Sequence, residues 1–255
     1  MKRWFQSFVV AFSMYSALPM PRVEWNKENM RYALCFFPLI GVVTGLLMEG
    51  WGLLCGWAGL GRVLFAAVAC VLPVAVSGGI HLDGFCDTCD ALGSHQSREK
   101  KLEILKDPHT GAFALIGCVL YFLLSFGLWS ELKPDVRALG VVGLGFVLSR
   151  VLSGLSVVTF PCVSTGLLAA FSTAAQKKRV AAVEILLGLL CAAGMVCLRP
   201  AVGSLAVLAA GVTFAYYFRM SRRQFGGITG DLAGYFLQLC EIAMLLAVAA
   251  GQKIF

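Results

Sequence analysis

Long apolar stretches recur along this chain from one end to the other, and they constrain its fold more than any other feature. A helix that spans a membrane needs about 20 largely apolar residues. Seven stretches meet or nearly meet that length, at residues 32–58, 63–80, 111–130, 138–160, 180–198, 201–218 and 232–250. They predict an all-α, polytopic integral membrane helical bundle of about seven spans, in which residues 1–255 form a single membrane domain.

The composition excludes several other classes of protein. Hydrophobic residues make up 59% of the chain and charged residues 14%, whereas an ordinary soluble domain has roughly 45–50% and about 25%. A soluble globule, a disordered chain and a nucleic-acid-binding module are therefore excluded. Most of the ten cysteines lie inside apolar stretches, which predicts small buried hydrophobic side chains and not a disulfide framework.

The amino-terminal segment 4–18 is also apolar and follows Lys2 and Arg3. A signal peptide is one interpretation. The segment ends in Leu18-Pro19-Met20-Pro21 without a small-residue cleavage site, so we expect a short interfacial or re-entrant helix instead.

The basic residues predict the orientation of the chain. If the amino terminus is cytoplasmic, segments 1–31, 81–110, 161–179 and 219–231 hold 15 Lys and Arg residues, against five on the other face. This bias follows the positive-inside rule. The net charge of +7 is thus largely an orientation signal, and we expect a multi-pass membrane protein in which these four segments face the cytoplasm.

The densest acidic group directly follows the second apolar stretch. Asp83, Asp87 and Asp90 are spaced i, i+4 and i+7, which places them within an arc of about 60° on one face of a helix. Carboxylates so close together repel one another, and a divalent cation such as Mg²⁺, shared with substrate phosphates, offsets that repulsion. Gly79 and Gly84 flank the group and permit close approach of a substrate to the backbone. The alternative is a solvated acidic start of a helix.

A zinc site is a second interpretation of the same segment. His81, Cys86, Cys89 and His95 form an H-x4-C-x2-C-x5-H pattern that contains a pair spaced as in a zinc knuckle. On a helix the two cysteines point about 60° apart and flank the acidic face, so we favour the magnesium interpretation.

A charged stretch over residues 98–107 follows the acids. It predicts an amphipathic surface helix that Pro108 ends, with Arg98 and Lys106 as candidate phosphate contacts. The spacing of Glu99 and Glu103 places like charges together, which a purely structural helix tends to avoid.

A glycine-rich turn opens the last apolar stretch. Gly227 and Gly230 follow an arginine pair and precede a predicted helix start, an arrangement that can cradle phosphate. Four spans separate this turn from the acidic group, so both open on the same membrane face. We expect Asp231, and Glu241 about three turns further along, to complete the site.

Ionisable residues inside predicted spans are candidates for function. Arg150 is the best of them for steering a polar substrate. Glu49 and Glu184 also lie in apolar stretches, and for all three residues pairing between helices is the alternative.

Taken together, these motifs resemble those of the cobalamin synthase family, whose activity is adenosylcobinamide-GDP ribazoletransferase. The resemblance runs from about residue 5 to 246 and rests most specifically on the G-G-x-H-x-D-G-x-x-D-x-x-D pattern of residues 78–90. Supporting segments are 37–41, 102–107 with Gly111, Ser149-Arg150, 226–231 and Glu241. There are departures, since Cys86 and Cys89 stand where small residues are usual. Pro108-His109-Thr110 replaces a Ser-Arg-containing turn, with His109 as a substitute phosphate contact.

The resemblance implies an Mg²⁺-dependent enzyme of the cell inner membrane, with its active site facing the cytoplasm, that joins adenosylcobinamide-GDP to α-ribazole or its 5′-phosphate and releases GMP. In this reaction we expect Asp83, Asp87 and Asp90 to hold the metal, and Asp231 or His81 to accept the proton of the attacking ribose hydroxyl. Membrane lipid is an expected partner, and homo-oligomerisation is compatible with the sequence.

Two other functions compete with this interpretation. A CDP-alcohol phosphotransferase also uses spaced aspartates at a membrane surface, but it typically has a fourth aspartate where this chain has Ser94. A secondary transporter often shows pseudo-symmetric halves, and this sequence shows no internal repeat.

Overall fold

The helices in the computed structural model follow the apolar stretches closely. The structure describes residues 2–163 and 165–255. Its helices are α1 (Lys2–Tyr15), α2 (Lys27–Met30), α3 (Phe37–Ala58), α4 (Arg62–Ser77), α5 (Ile80–Gly93), α6 (Arg98–Ile104), α7 (Ala112–Glu131), α8 (Val136–Thr159), α9 (Leu167–Ala174), α10 (Lys177–Leu198), α11 (Pro200–Met220) and α12 (Gly230–Ile254). A 3-10 turn (Ala33–Phe36) leads into α3, and a π-helical turn (Ser221–Phe225) follows α11.

Within the described residues, six helical segments are long and apolar enough to cross a membrane, namely Ala33–Ala58, Ala112–Glu131, Val136–Thr159, Lys177–Leu198, Pro200–Phe225 and Gly230–Ile254. The pair α4 and α5 raises the number to seven if it is counted as one broken span. The prediction of an all-α polytopic bundle of about seven spans is therefore confirmed.

The second apolar stretch differs from its prediction. We expected one span over residues 63–80, but α4 ends at Ser77 and α5 leaves it at an angle of 97°. Gly78 and Gly79 have φ values of +66° and +83°, in the left-handed region that glycine adopts without a steric penalty. Hydropathy does not register this break, because the residues on both sides of it are apolar.

The charged helix also ends earlier than predicted. We expected Pro108 to end it, but α6 stops at Ile104. The residues between form a turn, in which the Lys106 N–H donates to the Glu103 carbonyl at 2.9 Å and that of Asp107 to Ile104 at 3.0 Å.

Helix α8 forms the centre of the bundle, and most of its residues are buried. Glycines let α3 pack closely against it. A Cβ on Gly45 would lie 3.0 Å from the Gly143 Cα, and one on Gly41 would lie 2.5 Å from the Phe146 carbonyl oxygen. Such small-residue contacts are the usual means of helix association in lipid.

The two ends of the bundle can be distinguished by their contacts. At one end α5 meets the start of α12, where a Cβ on Gly234 would lie 2.8 Å from the His81 carbonyl oxygen. At the other end the Gln252 side chain bonds the Lys133 main chain at 3.0 Å. The acidic group and the start of α12 therefore share one end, as the count of spans predicts.

Candidate active site

The three aspartates of the acidic group lie on one helix, α5. Asp83 is exposed, and Asp87 and Asp90 are partly buried. Asp83, Asp231 and Asp90 all lie close enough to Asp87 to repel its charge. The structure thus brings the start of α12 to the acidic face, as predicted.

Gly84 makes this approach between α5 and α12 possible. A Cβ at Gly84 would lie 2.7 Å from the Asp231 Cα and 2.8 Å from its carbonyl oxygen. The main chains are therefore in direct contact, and Gly84 is a spacer between the two carboxylate-bearing helices.

Asp231 is fixed by the residue that caps its helix. The Thr229 hydroxyl accepts a hydrogen bond from the Leu232 N–H at 3.2 Å and donates to Asp231 Oδ2 at 3.3 Å. An N-cap of this kind stabilises the start of a helix by about 1 kcal/mol. Here it also orients the carboxylate.

Asp90 has a second neighbour. Its carboxylate packs against Gly111, which precedes α7, so closely that a Cβ there would overlap the carboxylate. The amino-terminal end of a helix favours negative charge, which gives Asp90 a structural contact in addition to its predicted metal role.

Metal ligation can be judged from the donor set. Among the described residues no group of three or more His, Cys, Asp and Glu side chains is arranged so that it could hold a metal ion. The carboxylates nevertheless suit Mg²⁺ in kind, because Mg²⁺ is usually held by one or two carboxylates together with water and substrate phosphates. Zinc prefers four protein ligands in structural sites, and no such set of side chains occurs among the described residues.

Two cavities meet at Asp231. One, of about 300 Å³, lies between α1, α3, α5, α8 and the start of α12, and His81, Asp83 and Gly230 line it. The other, of about 330 Å³, is lined by Lys106, Leu102, Leu105, Val163, Thr165 and Thr229. Gly166 and Asp231 border both, so a group bound in one cavity is next to a group bound in the other.

The glycine-rich turn is held by the chain that follows α8. Its Ile228 N–H donates to the Pro161 carbonyl at 2.8 Å, and the Val163 N–H donates to the Ile228 carbonyl at 3.1 Å. The Gly227 N–H donates to the Ser221 carbonyl at 3.2 Å, so this N–H is already hydrogen-bonded within the protein. Gly230 is exposed and borders the first cavity.

The basic residues of α6 lie beside the same turn. Arg98 Nη2 donates to the carbonyls of Arg222 and Arg223 at 3.5 Å. Lys101, which the sequence analysis did not single out, is buried and its Nζ donates to Gln224 Oε1 at 2.6 Å. Both predicted phosphate contacts in this stretch border a cavity: Lys106 lines the one beside Asp231, and Arg98 lines another together with Arg219, Arg222 and Arg223.

His109 lies in the loop before α7 and contacts Asp107. Its backbone N–H donates to Asp107 Oδ1 at 2.9 Å, and its ring Nδ1 lies 2.7 Å from the same oxygen. These two contacts hold the pKa of Asp107 below its usual value. The His109 side chain is otherwise exposed.

Arg150 and Glu241 form a buried ion pair deeper in the bundle. Arg150 Nη1 lies 2.6 Å from Glu241 Oε1, to which the Ser149 hydroxyl also donates at 3.1 Å. Ten residues of helix separate Glu241 from Asp231, a distance of about 15 Å. The pair thus lies below the carboxylate cluster, and His81 lies near enough to interact electrostatically with Arg150.

Two aromatic residues of the first cavity were missed by the sequence analysis. Tyr15 from α1 and Phe37 from α3 line it. No local signal marks them, because aromatic residues are common in apolar helices and only the tertiary fold brings these two to α5.

Comparison with known proteins points to one family. The profile of a family described as cobalamin-5-phosphate synthase matches residues 7–249. A Lachnoclostridium phytofermentans protein named adenosylcobinamide-GDP ribazoletransferase is 44% identical over 253 residues, which cover 99% of this chain and 96% of that protein. Proteins of the same name from Pseudomonas fluorescens and Clostridium botulinum are 36% and 29% identical over 248 residues, covering 95% and 97% of this chain and 98% of each relative. No solved structure matches the chain.

Proposed function

The chain belongs to the cobalamin-5-phosphate synthase family, and we propose that it is an adenosylcobinamide-GDP ribazoletransferase whose active site lies where α5 meets the start of α12. The reaction joins the corrinoid phosphoryl group to α-ribazole or its 5′-phosphate and releases GMP. One observation carries the location of the site, namely the contact of Gly84 with Asp231 at the junction of two cavities.

The reaction is a phosphoryl transfer, in which positioning and electrostatic stabilisation supply most of the catalysis. A ribose hydroxyl oxygen forms a bond to the phosphorus that carries the corrinoid arm, and the bond from that phosphorus to the GMP oxygen breaks. The hydroxyl proton passes to a base on the protein. Two adjoining cavities suit this chemistry, because they hold the two reactants side by side.

Asp231 is the base that the geometry favours. Its carboxylate borders both cavities and is oriented by Thr229. His81 borders only the first cavity. Lys106, in the second cavity, is placed to neutralise phosphate charge.

Magnesium belongs to this proposal. Asp83 and Asp87, with Asp90 as a third candidate, would hold Mg²⁺ together with substrate phosphate oxygens. When bound, the ion supplies positive charge that neutralises the diphosphate and stabilises the departing GMP. The repulsion among these carboxylates supports the assignment, because among the described residues none of the four aspartates forms an ion pair with a basic side chain.

The deeper pair has a supporting role in this proposal. Glu241 is held by Arg150 and Ser149, about three turns below Asp231. We assign Arg150 and Glu241 to the electrostatic field beneath the site, because neither residue lines either of its two cavities. The positive-inside bias supports a site at the cytoplasmic face of the inner membrane.

A single assay tests the function. Protein reconstituted in lipid is expected to release GMP from adenosylcobinamide-GDP only when α-ribazole and Mg²⁺ are both present. Asp83→Asn and Asp87→Asn each remove one negative charge from the acidic face and should lower that rate by at least about 100-fold. Binding of Mn²⁺, followed by electron paramagnetic resonance, should weaken in parallel.

Asp135→Asn is the matched control. Asp135 caps α8 at the opposite end of the bundle, and asparagine caps a helix as well as aspartate does. Its variant should keep full activity. Wild-type activity in both α5 variants would overturn the metal assignment, and a wild type without GMP release would overturn the function.

A further inference from the structure

Four arginines line one cavity beside the end of α11. Its volume is about 530 Å³, and the residues around it are Arg98, Phe218, Arg219, Arg222 and Arg223. All four arginines are exposed. Three of them come from the end of α11 and the π-helical turn, and Arg98 is the first residue of α6. We call this site the arginine cavity.

Contacts between separate elements bring these guanidinium groups together. Arg98 Nη2 donates to the carbonyls of Arg222 and Arg223 at 3.5 Å, which places the start of α6 against the turn. The guanidinium carbon of Arg222 lies 5.2 Å from the centre of the Phe218 ring, a cation–π contact. The tertiary fold, and not only proximity in sequence, therefore gathers the four charges.

The protein does not neutralise the positive charge of the arginine cavity. Among the described residues no aspartate or glutamate forms an ion pair with any of the four arginines. Glu99 interacts electrostatically with Arg98 but does not line the cavity. Like charges so close together repel one another, and guanidinium groups bind phosphate oxygens through paired hydrogen bonds. A phosphate group is therefore the anion that suits this site.

The arginine cavity lies at the end of an outward-facing surface of a membrane span. Leu208, Val212 and Tyr216 of α11 are large, exposed hydrophobic side chains, and their spacing of four residues places them on one face of the helix. Arg219 follows three residues later on the same face. Since this helix is long and apolar enough to cross a membrane, its exposed face is suited to acyl chains, and that face ends at a group of cations.

The reactants of the proposed function have a different place. The arginine cavity shares no lining residue with either cavity at Asp231. Arg98 begins α6, whereas Lys106, which lines the second of those cavities, lies beyond the end of that helix. A substrate phosphate at Asp231 thus has a basic residue of its own, which leaves the arginines for another anion.

Membrane orientation alone does not account for this arrangement. The positive-inside rule depends on the number of basic residues near the ends of spans and not on their contacts with one another. A basic residue at the end of a helix gains from the helix dipole without any neighbour. Neither effect brings Arg98 from another helix to the arginines that follow α11, where it adds repulsion. A bound anion offsets that repulsion.

We propose that the arginine cavity binds the phosphate headgroup of an anionic membrane lipid whose acyl chains lie along the exposed face of α11. Basic pockets beside membrane spans recognise anionic headgroups through such contacts. The bound headgroup would hold α6 against the turn that leads to Asp231, and it would stabilise the folded protein by linkage. This inference goes beyond the proposed function and does not depend on it.

Lipid binding to the full chain tests the proposal without any reaction. Native mass spectrometry of the detergent-solubilised protein measures the binding of phosphatidylglycerol, with zwitterionic phosphatidylcholine as the comparison lipid. The wild type should bind phosphatidylglycerol more tightly than phosphatidylcholine. Arg219→Gln/Arg222→Gln should weaken phosphatidylglycerol binding about 10- to 30-fold, as expected for the loss of two cations beside a phosphate, and should leave phosphatidylcholine binding unchanged.

Lys177→Gln/Lys178→Gln is the matched control. Both lysines are exposed, and they belong to another segment that the sequence predicts on the same membrane face. They do not line the arginine cavity, so this variant loses the same charge and should bind phosphatidylglycerol nearly as well as the wild type. Phosphatidylglycerol should also raise the unfolding temperature of the wild type and the control more than that of the arginine variant. The single variants Arg219→Gln and Arg222→Gln replace the double variant if it does not fold.

The outcomes separate a lipid site from its alternatives. An equal loss of phosphatidylglycerol binding in both double variants indicates a general attraction to surface charge and overturns the site. Undiminished binding in the folded arginine variant overturns it as well.

The 5′-phosphate of the acceptor nucleotide is a second source of the same chemistry. If the arginine variant keeps its lipid binding but raises the KM for α-ribazole 5′-phosphate and not that for α-ribazole in the GMP-release assay, the lipid assignment is overturned. Lipid binding that depends on these arginines, in a protein that releases no GMP, supports the site and overturns the proposed function.

Discussion

Gly84 is the residue at which the two carboxylate-bearing helices touch, and its lack of a side chain controls their spacing. In the sequence Gly84 lies between aspartates, and a glycine at that position predicts that a neighbouring group approaches the backbone closely. The structure identifies that neighbour as the Asp231 main chain. A pattern within one segment cannot reveal a partner almost 150 positions away.

Gly84→Ala should displace Asp231, because the new methyl group meets main-chain atoms that cannot rotate away. We expect a loss of stability of about 1–3 kcal/mol and a fall in GMP release of roughly 100-fold, the effect of misplacing a reacting group by about 1 Å. Gly50→Ala is the control, since no atom lies within 4 Å of its added Cβ. Equal activity of the two variants would contradict the spacer role.

The Arg150–Glu241 ion pair is the second feature that depends on single residues. Arg150→Met leaves the Glu241 carboxylate buried without its cation, which should cost about 3–5 kcal/mol. The double variant Arg150→Met/Glu241→Gln removes both charges and should recover most of that loss in thermal unfolding. If the pair also shapes the site, the double variant will be stable and poorly active. A stable, fully active double variant would restrict the pair to a role in folding.

At the scale of helices, the break between α4 and α5 determines where the acidic face lies. Hydropathy predicts most helices of this chain well, since each is an apolar stretch bounded by polar residues. It fails at Gly78 and Gly79, where backbone conformation and not polarity ends the helix. The amphipathic spacing of Asp83, Asp87 and Asp90, in contrast, predicts their shared face because α5 is helical throughout.

Gly79→Ala tests this break. No atom lies within 4 Å of the added Cβ, but φ is +83° there, so the cost is purely one of backbone strain, about 1–2 kcal/mol. Thermal unfolding should show that loss. Gly211→Ala, in the interior of α11 with equally open space, should stabilise the protein by up to about 1 kcal/mol. The two substitutions are therefore expected to differ in sign, and the same sign for both would contradict the conformational explanation.

At the scale of the whole molecule, the arrangement follows from the order of spans and the distribution of basic residues. An even number of spans between the acidic group and the glycine-rich turn predicts that both lie at one end, and the structure brings them into contact. The sequence does not predict which helices become neighbours. The central position of α8 and the approach of α1 to α5 depend on packing that no single segment encodes.

Orientation in the cell can be measured directly. A protease site inserted after His95 should be cut only when the cytoplasmic face is accessible, whereas one inserted after Lys133 should be cut from outside in spheroplasts. The prediction follows from the 15 to five distribution of basic residues. The reverse pattern of cleavage would place the site on the outer face.

The main-chain pairing of Ile228 with the chain after α8 has a mechanical consequence. Both the N–H and the carbonyl of Ile228 are hydrogen-bonded to that neighbouring segment, so two main-chain hydrogen bonds hold the turn before Asp231 in place. Swinging it outward would break both bonds, at about 0.5–1.5 kcal/mol each. We therefore expect the turn before Asp231 to move little relative to the segment that follows α8.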